Sequence, residues 1–222
     1  MVAAGSGSRL GAAVPKALVE LDGVSLVRRC VDNLASAGVG HVVVMIPMGQ
    51  QAAFEAALEG ASIPVMCVIG GVRRQDSVRL GVAAIEPDND ETVVLVHDAA
   101  RPLVRGDVVE RVVDAVESGA DAVVPTLPVV DSIRLATSGI SQVVDRSHLR
   151  AVQTPQGFRL GTLRDAHRHI DDQGLEVTDD AAACEAIGVP VVLVDGHRHT
   201  LKVTEPVDLL VAQAILAGEE HP

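Results

Sequence analysis

Short valine-rich runs alternate along this chain with segments whose apolar residues recur at helical spacing. Uninterrupted apolar runs are typical of strands that are buried on both faces, and parallel sheets covered by helices are built from such strands. The pattern therefore predicts an α/β fold, a single domain over residues 1–222 with a doubly wound, mostly parallel sheet. The predicted strands are HVVVMI (41–46), VMCVI (65–69), TVVLV (92–96), DAVVP (121–125) and VPVVLV (189–194).

The composition limits which residues can form the core and which classes of partner the protein can bind. Hydrophobic residues make up 48% of the 222 residues and aromatic residues only 1%, so the core must consist of valine, leucine, isoleucine and alanine. No apolar run approaches the length of about 18 residues that spans a bilayer, which predicts no membrane contact, and no export signal is visible. The net charge of −12 argues against a broad nucleic-acid surface. Three scattered cysteines predict a reducing, cytoplasmic location.

An acidic chain can bind an anionic ligand only where cations converge locally in a cleft. Of the 18 basic residues only two are lysines, Lys16 and Lys202. Because every other basic position is arginine, these two indicate places where a compact ammonium group on a flexible stem is required. The alternative is that the two lysines occur by chance.

The stretch AAGSGSRLGAAVPK, residues 3–16, has the features of a phosphate-binding loop. Its glycines allow a close backbone approach to a ligand, and Arg9 and Lys16 add two cations. The spacing fits neither the GxxxxGK[ST] phosphate loop nor the GxGxxG dinucleotide fingerprint. The alternative is a flexible turn after a first strand that ends at residues 1–3. We expect that strand to be unusually short, and a start codon placed late would explain its length.

Two later strand ends also carry polar residues, and ligands of open α/β sheets bind beyond the carboxyl ends of the strands. GGVRRQDSV (70–78) follows one predicted strand, where Ser77 is either a ligand contact or a helix cap. HDAARP (97–102) follows another, where Asp98 can accept bonds from hydroxyl groups and Arg101 can hold a phosphate. The alternative for Asp98 and Arg101 is a simple ion pair.

The second half of the chain adds a predicted hairpin. Residues 129–135 and 142–145 are predicted to form two short strands around a Thr-Ser-Gly turn. The hairpin is either an exposed decoration of the domain or an arm that contacts a second subunit. The run TDD (178–180) is predicted to cap a helix rather than to bind a metal. His167 and His169 are predicted to lie on a solvated helix face. No pattern of a covalent nucleophile is present.

Seven strings, in order, resemble the 2-C-methyl-D-erythritol 4-phosphate cytidylyltransferase family, which belongs to the sugar and polyol phosphate nucleotidyltransferases. They are AAGSGSRLG with PK, GGVRRQDSV, HDAARP, the hairpin with DR, TPQ, TDDA and LKVT. The resemblance implies a Rossmann-like fold with a protruding β-hairpin dimerisation arm at about residues 127–150. It implies that CTP and the polyol phosphate give CDP-methylerythritol and pyrophosphate in non-mevalonate isoprene biosynthesis. It also implies Mg²⁺ held mainly by the nucleotide phosphates.

The resemblance also implies a role for each matching residue. The catalytic residues would be Arg9, Lys16, Arg146 and Lys202. The nucleotide would contact Ala3, Ala4, Gly5, Gly7, Gly71, Ser77 and Ala99, and the polyol phosphate would contact Asp98, Arg101, Ser132 and Thr154. No side chain is expected to bind the metal. Two positions depart from the family pattern, since the family often has an acidic residue where Val72 stands and usually threonine where Ser132 stands.

The expected mechanism follows from charge, because an anionic phosphate must attack the α-phosphorus of an anionic nucleotide. Catalysis is then expected to depend on positioning and electrostatics. Arg9 and Lys16 would hold the nucleotide phosphates, and Lys202 together with Arg146 from the other chain of a homodimer would aim the nucleophile. Two alternatives stay open: a sister cytidylyltransferase that acts on ribitol 5-phosphate, and a catalytically silent nucleotide-binding regulator.

Overall fold

The computed structural model describes residues 1–5, 14–86 and 89–220. A 3-10 turn covers Lys16–Leu18. The helices are α1 (Leu26–Ser36), α2 (Gln51–Leu58), α3 (Arg74–Ala83), α4 (Gly106–Glu117), α5 (Leu160–Asp172), α6 (Asp180–Ala186) and α7 (Pro206–Glu220). The strands are β1 (Glu20–Leu21), β2 (Val24–Ser25), β3 (Val42–Ile46), β4 (Val65–Ile69), β5 (Val93–Val96), β6 (Ala122–Pro128), β7 (Ile133–Thr137), β8 (Ile140–Val144), β9 (Arg150–Val152), β10 (Gln156–Arg159) and β11 (Val191–Asp195).

The central sheet is assembled from two groups of strands. β3 pairs in parallel with β4, and the second group has the order β11-β6-β10-β5, with β9 on β6. β11 is parallel to β6, whereas β10 is antiparallel to both β5 and β6. Val2 joins the groups, because it pairs in parallel with Met45 of β3 and with Asp98 after β5. The predicted α/β fold with a doubly wound, mostly parallel sheet is confirmed. Two strands, β9 and β10, run antiparallel to their neighbours.

Helices cover both faces of this sheet, which explains the uninterrupted apolar runs. On one face, Val44 of β3 packs in a core with residues of α1 and α4. On the other face, Met45 of β3 packs with residues of α3 and α5. All five residues of β3 are buried, because successive side chains point to opposite, covered faces. Phe54 and Phe158 are both fully buried among aliphatic neighbours.

β7 and β8 form an antiparallel hairpin in the region where an arm is expected. Ser138 and Gly139, at the turn, both have positive φ, which glycine adopts easily and other residues rarely do. Leu135, Ile140 and Val143 are exposed on this hairpin. The hairpin therefore presents apolar side chains that the described part of this chain leaves uncovered.

The prediction that His167 lies on a solvated helix face is wrong. His167 is only 2% exposed, and its Nε2 lies 3.0 Å from Oδ1 of Asp180. Its helix neighbours Leu163 and Ile170 are buried as well, so His167 belongs to the inner face of α5. The capping prediction is confirmed for Asp179, whose side chain accepts a bond from Ala182 N–H at the start of α6. Within the described ranges, no helix is both long and apolar enough to cross a bilayer.

Candidate active site

The loops that follow three parallel segments of the sheet meet around a cavity of about 210 Å³. The end of the first segment contributes Ala3, Ala4 and Gly5, the loop after β4 contributes Gly71, and the first turns of α3 contribute Ser77. Asp98 and Ala99, after β5, form part of the floor, and Lys16 and Lys202 complete the lining. Tertiary structure therefore brings most of the predicted nucleotide contacts and two of the predicted catalytic residues to one place, at the strand ends where ligands of such sheets bind.

The two glycines after β4 are required by close packing. A Cβ on Gly70 would lie 2.7 Å from Ala4 Cβ and 2.8 Å from Ser77 Oγ, and a Cβ on Gly71 would overlap Asp76 Cβ. Ser77 Oγ accepts a hydrogen bond of 3.1 Å from Gly71 N–H. Ser77 is buried and holds the turn in place, so the backbone of the turn forms a wall of the cavity.

The two lysines of the chain reach this cavity from distant parts of the sequence. Lys16 Nζ donates to the carbonyl oxygen of Val203 at 3.1 Å, directly beside Lys202. Lys202 Nζ donates to Asp98 Oδ2 at 2.7 Å. Both lysine side chains thus line the same cavity, and their catalytic roles stay predictions.

Arg74 is the site residue that sequence reasoning missed. It begins α3 and lines the cavity, with Nε 3.6 Å from Asp98 Oδ1 and Nη2 2.8 Å from Asp180 Oδ2. Burial alone would raise the pKa of Asp98, but the charges of Arg74 and Lys202 outweigh it and lower that pKa to about 2. Asp98 is therefore a carboxylate held between two cations.

The carboxylate of Asp180 lies behind Arg74 and is almost completely buried. Burial favours its neutral form, yet the bond from His167 and the charge of Arg74 lower its pKa. A row of groups thus runs from the cavity into the core, in the order Lys202, Asp98, Arg74, Asp180 and His167. One feature of the sequence could have pointed to Arg74 as a site residue: it lies just after the glycine turn that follows the predicted strand 65–69.

Thr154 does not line the cavity but braces Asp98 from behind. Asp98 N–H donates to Thr154 Oγ1 at 3.1 Å, and Thr154 Oγ1 lies 3.0 Å from His97 Nδ1. His97 Nε2 lies 3.1 Å from the carbonyl oxygen of Arg101. Since a carbonyl only accepts, Nε2 carries the proton and the Thr154 hydroxyl donates to Nδ1. Burial lowers the pKa of His97 to about 4, so the ring is neutral at pH 7.

The guanidinium of Arg101 also forms hydrogen bonds with the backbone of this chain. It donates to the carbonyl oxygens of Thr200 at 2.8 Å and Val152 at 3.3 Å. The first bond connects the loop after β5 to the segment that carries Lys202, and the second connects it to β9. A direct substrate contact of Arg101 or Thr154 stays a prediction, and the geometry gives both residues a supporting role.

The remaining predicted residues lie elsewhere or outside the described ranges. Ser132 and Arg146 are exposed next to the hairpin, where the Arg146 guanidinium contacts the carbonyl oxygen of Val130. Neither lines the cavity within this chain. Gly7 and Arg9 fall outside the described residues. Val72 stands at the cavity with its side chain fully exposed.

Comparison with known proteins gives one consistent result. The model of the IspD family, 2-C-methyl-D-erythritol 4-phosphate cytidylyltransferase, matches residues 1–218. A protein of that name from Saccharopolyspora erythraea is 50% identical over 219 residues, which cover 97% of this chain and 96% of the relative. One from Streptomyces avermitilis is 45% identical over 228 residues, covering 97% of this chain and 89% of the relative. The crystal structure of the protein of that name from Thermus thermophilus superposes with a TM-score of 0.79 at 37% identity, covering 97% of both chains.

Proposed function

The chain belongs to the 2-C-methyl-D-erythritol 4-phosphate cytidylyltransferase family, and from this premise we propose how its cavity transfers a cytidylyl group from CTP to 2-C-methyl-D-erythritol 4-phosphate. The protein is a CTP-dependent nucleotidyltransferase of isoprenoid biosynthesis. A phosphate oxygen of the polyol attacks the α-phosphorus, the bond from that phosphorus to the bridging oxygen breaks, and pyrophosphate leaves. The observation that carries the proposal is the meeting of Lys16, Arg74 and Lys202 at one cavity in a chain of net charge −12.

The first task of the site is to bring two anions together. Lys16, on a flexible stem, turns from the Val203 carbonyl to the nucleotide phosphates, and Arg9 assists it. Ala3 and Ala99 use their N–H groups inside the sheet, so they contact the nucleotide through carbonyl oxygens and methyl groups. Positive charge held in position is worth more in a partly dry cavity than in water, and it stabilises the charge that develops on the transferred group.

The second task is to aim the nucleophile. Asp98 faces the cavity as a fixed carboxylate that accepts bonds from polyol hydroxyl groups. Lys202, already 2.7 Å from Asp98, binds the polyol phosphate beside it. Because Arg74 and Lys202 keep the pKa of Asp98 low, Asp98 orients the substrate and does not act as a base. Rate enhancement then comes from orientation and electrostatics.

Mg²⁺ suits this site as a partner of the nucleotide. Among the described lining residues, Asp98 is the one carboxylate, and it already pairs with two cations. The described residues also contain no cluster of three or more His, Cys, Asp or Glu that could hold a metal ion. We therefore assign the metal to the nucleotide phosphates, where it would neutralise part of their charge. Isothermal titration with MgCl₂, with and without CTP, tests this: binding of Mg²⁺ without CTP would contradict it.

The hairpin of β7 and β8 serves as the arm of a homodimer in this proposal. An isolated two-stranded hairpin is marginally stable in water, and this one exposes Leu135, Ile140 and Val143. A second subunit would cover these side chains and receive Ser132 and Arg146 near its polyol phosphate. Arg146→Ala and Lys16→Ala subunits, each inactive alone, should then regain part of the activity when mixed. An absence of recovery between variants shown to exchange subunits would reject the shared site.

The predicted cytoplasmic location is supported by the thiols. Cys30, Cys67 and Cys184 are all free. Burial raises the pKa of Cys30 and raises that of Cys184 to about 12, so these two thiols stay protonated and unreactive. Fractionation of cells that express the full-length protein tests the location, which stays a prediction.

The decisive experiment measures pyrophosphate release with four nucleotides and two polyol phosphates. We expect turnover with CTP and 2-C-methyl-D-erythritol 4-phosphate, and little with ATP, GTP or UTP. Faster turnover with ribitol 5-phosphate would favour the sister activity. CTP binding without turnover on either polyol phosphate would favour the silent regulator.

A further inference from the structure

Lys202 lies in a segment that belongs to no helix or strand. Residues 196–205 connect the end of β11, at Asp195, to the start of α7, at Pro206. The backbone of this segment is therefore held by individual contacts and not by the regular hydrogen bonds of a helix or sheet. The Lys202 side chain is 45% exposed, so side-chain packing gives it little support. The position of its Nζ opposite Asp98 depends on whatever fixes the backbone of the segment.

One buried side chain, that of Gln153, makes three hydrogen bonds to the start of this segment. Gln153 lies between β9 and β10 and is only 5% exposed. Its Nε2 donates to the carbonyl oxygens of His197 at 3.0 Å and Thr200 at 3.3 Å, and its Oε1 accepts from His197 N–H at 3.0 Å. Since a carbonyl only accepts and a peptide N–H only donates, these partners fix the orientation of the carboxamide. A glutamine side chain thus matches the turn 197–200 in both its donors and its acceptor.

Gly196 and β6 hold this glutamine close to the turn. A Cβ on Gly196 would overlap Gln153 Oε1 and would lie 3.1 Å from the carbonyl oxygen of Thr126, so the absence of a side chain there permits the contact. The backbone of Gln153 is itself fixed, because its N–H donates to the carbonyl oxygen of Pro125 in β6 at 2.8 Å. Through Gln153, the turn 197–200 is therefore attached to the central sheet.

Two further bonds connect the fixed turn to the position of Lys202. Arg101 Nη1, in the loop after β5, donates to the same Thr200 carbonyl oxygen at 2.8 Å. A backbone carbonyl oxygen of that loop accepts a bond of 2.8 Å from Val203 N–H. Lys202 thus lies between two residues whose backbone is held on both sides. Because the same loop carries Asp98, the bonds keep Lys202 and its carboxylate partner in one frame.

We infer that Gln153 is a positioning residue for Lys202, because it fixes the turn 197–200 and thereby the place of the Lys202 ammonium group in the cavity. The inference rests on the proposed function, in which Lys202 binds the polyol phosphate. Gln153 is not among the described residues that line the cavity, so it acts through Lys202. A shift of about 1 Å in the placement of a reacting group can lower a rate by about 100-fold.

Two replacements of Gln153 test this role, one mild and one severe. Gln153→Met removes the three bonds, but the His197 carbonyl keeps its bond from Thr200 N–H and the Thr200 carbonyl keeps its bond from Arg101, so this variant should fold. Gln153→Glu keeps the shape and turns an oxygen toward two carbonyl oxygens. We expect kcat/KM for the polyol phosphate to fall by about tenfold in the first and about 100-fold in the second, with KM for CTP within about twofold of wild type. Gln213→Glu, the same replacement at an exposed position of α7, should change neither constant.

The dependence on Lys202 separates positioning from a general loss of stability. In a double-mutant cycle, Gln153→Met should lower kcat/KM by about tenfold in the wild type and by less than about twofold when Lys202→Ala is already present. The fall in Tm caused by Gln153→Met should be the same in both backgrounds. An equal loss of kcat/KM in both backgrounds would mean that Gln153 does not act through Lys202, and the inference would be wrong.

Lys202→Ala alone distinguishes a failure of this inference from a failure of the proposed function. If it leaves KM for the polyol phosphate unchanged, Lys202 does not bind that phosphate, and both the proposed role of Lys202 and this inference are rejected. If it raises that KM and Gln153→Glu does not, the inference alone is rejected. Hydrogen exchange checks the backbone directly: in Gln153→Met, the amides of residues 198–203 should exchange about tenfold faster or more, and those of β3 should not change. Unchanged exchange at residues 198–203 would also overturn the inference.

Discussion

Replacing Arg74 with glutamine tests whether the row of charges below the cavity is structural as well as catalytic. The variant removes the cation that lies between Asp98 and Asp180. The pKa of Asp98 is about 2 against an ordinary value of 3.8, a difference that corresponds to about 2 kcal/mol in favour of the carboxylate. Arg74 supplies part of this difference, and Lys202 and Arg101 also contribute to it.

This replacement affects Asp180 more than Asp98, because Asp180 is almost fully buried and, among the side chains that the structure describes, retains the contact with His167 alone. Removing one partner of a buried ion pair costs about 3–5 kcal/mol. The Arg74 side chain is 28% exposed, so water can replace part of its effect. We therefore expect the free energy of unfolding at pH 7 to fall by about 2–3 kcal/mol in total. Urea denaturation with the midpoint read by circular dichroism measures it.

Arg79→Gln is the matched control, since it lies on the same helix. Arg79 and Asp171 are both 46% exposed and 3.6 Å apart, and such surface pairs contribute about 0–1 kcal/mol. The difference between wild type and Arg74→Gln should also shrink as the pH falls. A lowered carboxylate pKa stabilises the fold above pH 3.8, and this contribution is lost as the pH falls toward 2.

The Arg74→Gln replacement should also change the steady-state kinetics of the enzyme. Without Arg74 the carboxylate of Asp98 is less well oriented, so we expect KM for the polyol phosphate to rise by about tenfold and KM for CTP to change little. Arg74→Lys should restore part of the stability, because it returns the charge without the second N–H contact. If Arg74→Gln is as stable as Arg79→Gln, and its KM for the polyol phosphate is unchanged, the reasoning fails.

Three other changes test neighbouring parts of the structure. Lys16→Ala should lower the rate of pyrophosphate release by about 100-fold or more while Tm stays within a few degrees, and a near-normal rate would remove Lys16 from the mechanism. His97, neutral with a pKa of about 4 against an ordinary 6.5, gives stability that is complete above pH 6.5 and lost as the pH falls to 4, about 3 kcal/mol in all. Urea midpoints across that range should therefore fall more steeply for wild type than for His97→Asn, and parallel curves would refute this. Gly71→Ala should lower stability by about 1–3 kcal/mol and raise KM for CTP, because the new Cβ overlaps Asp76; Gly218→Ala, with open space around it, should cause no loss of stability.

The local structure of this protein could be predicted from the sequence. The predicted limits of β4 agree with the structure, at Val65–Ile69. The reason is that apolar periodicity and the residues that end a helix or strand act over a few neighbouring positions. The glycine turn after β4 and the motif after β5 were likewise visible in the sequence, since each follows a predicted strand end. Residues 6–13 of the glycine loop lie outside the described residues.

The partners of the buried charges were decided only by the tertiary structure. Lys202 and Asp98 are 104 residues apart in sequence, and His167 meets Asp180 across two helices. The two-residue spacing of His167 and His169 led to the prediction of a solvated face, and Arg74 was given no role. A residue's local pattern carries no information about which distant charge will lie beside it. The antiparallel insertion of β10 between β5 and β6 was hidden for the same reason. Strand order and charge pairing depend on long-range packing, whereas the strands themselves depend on near neighbours.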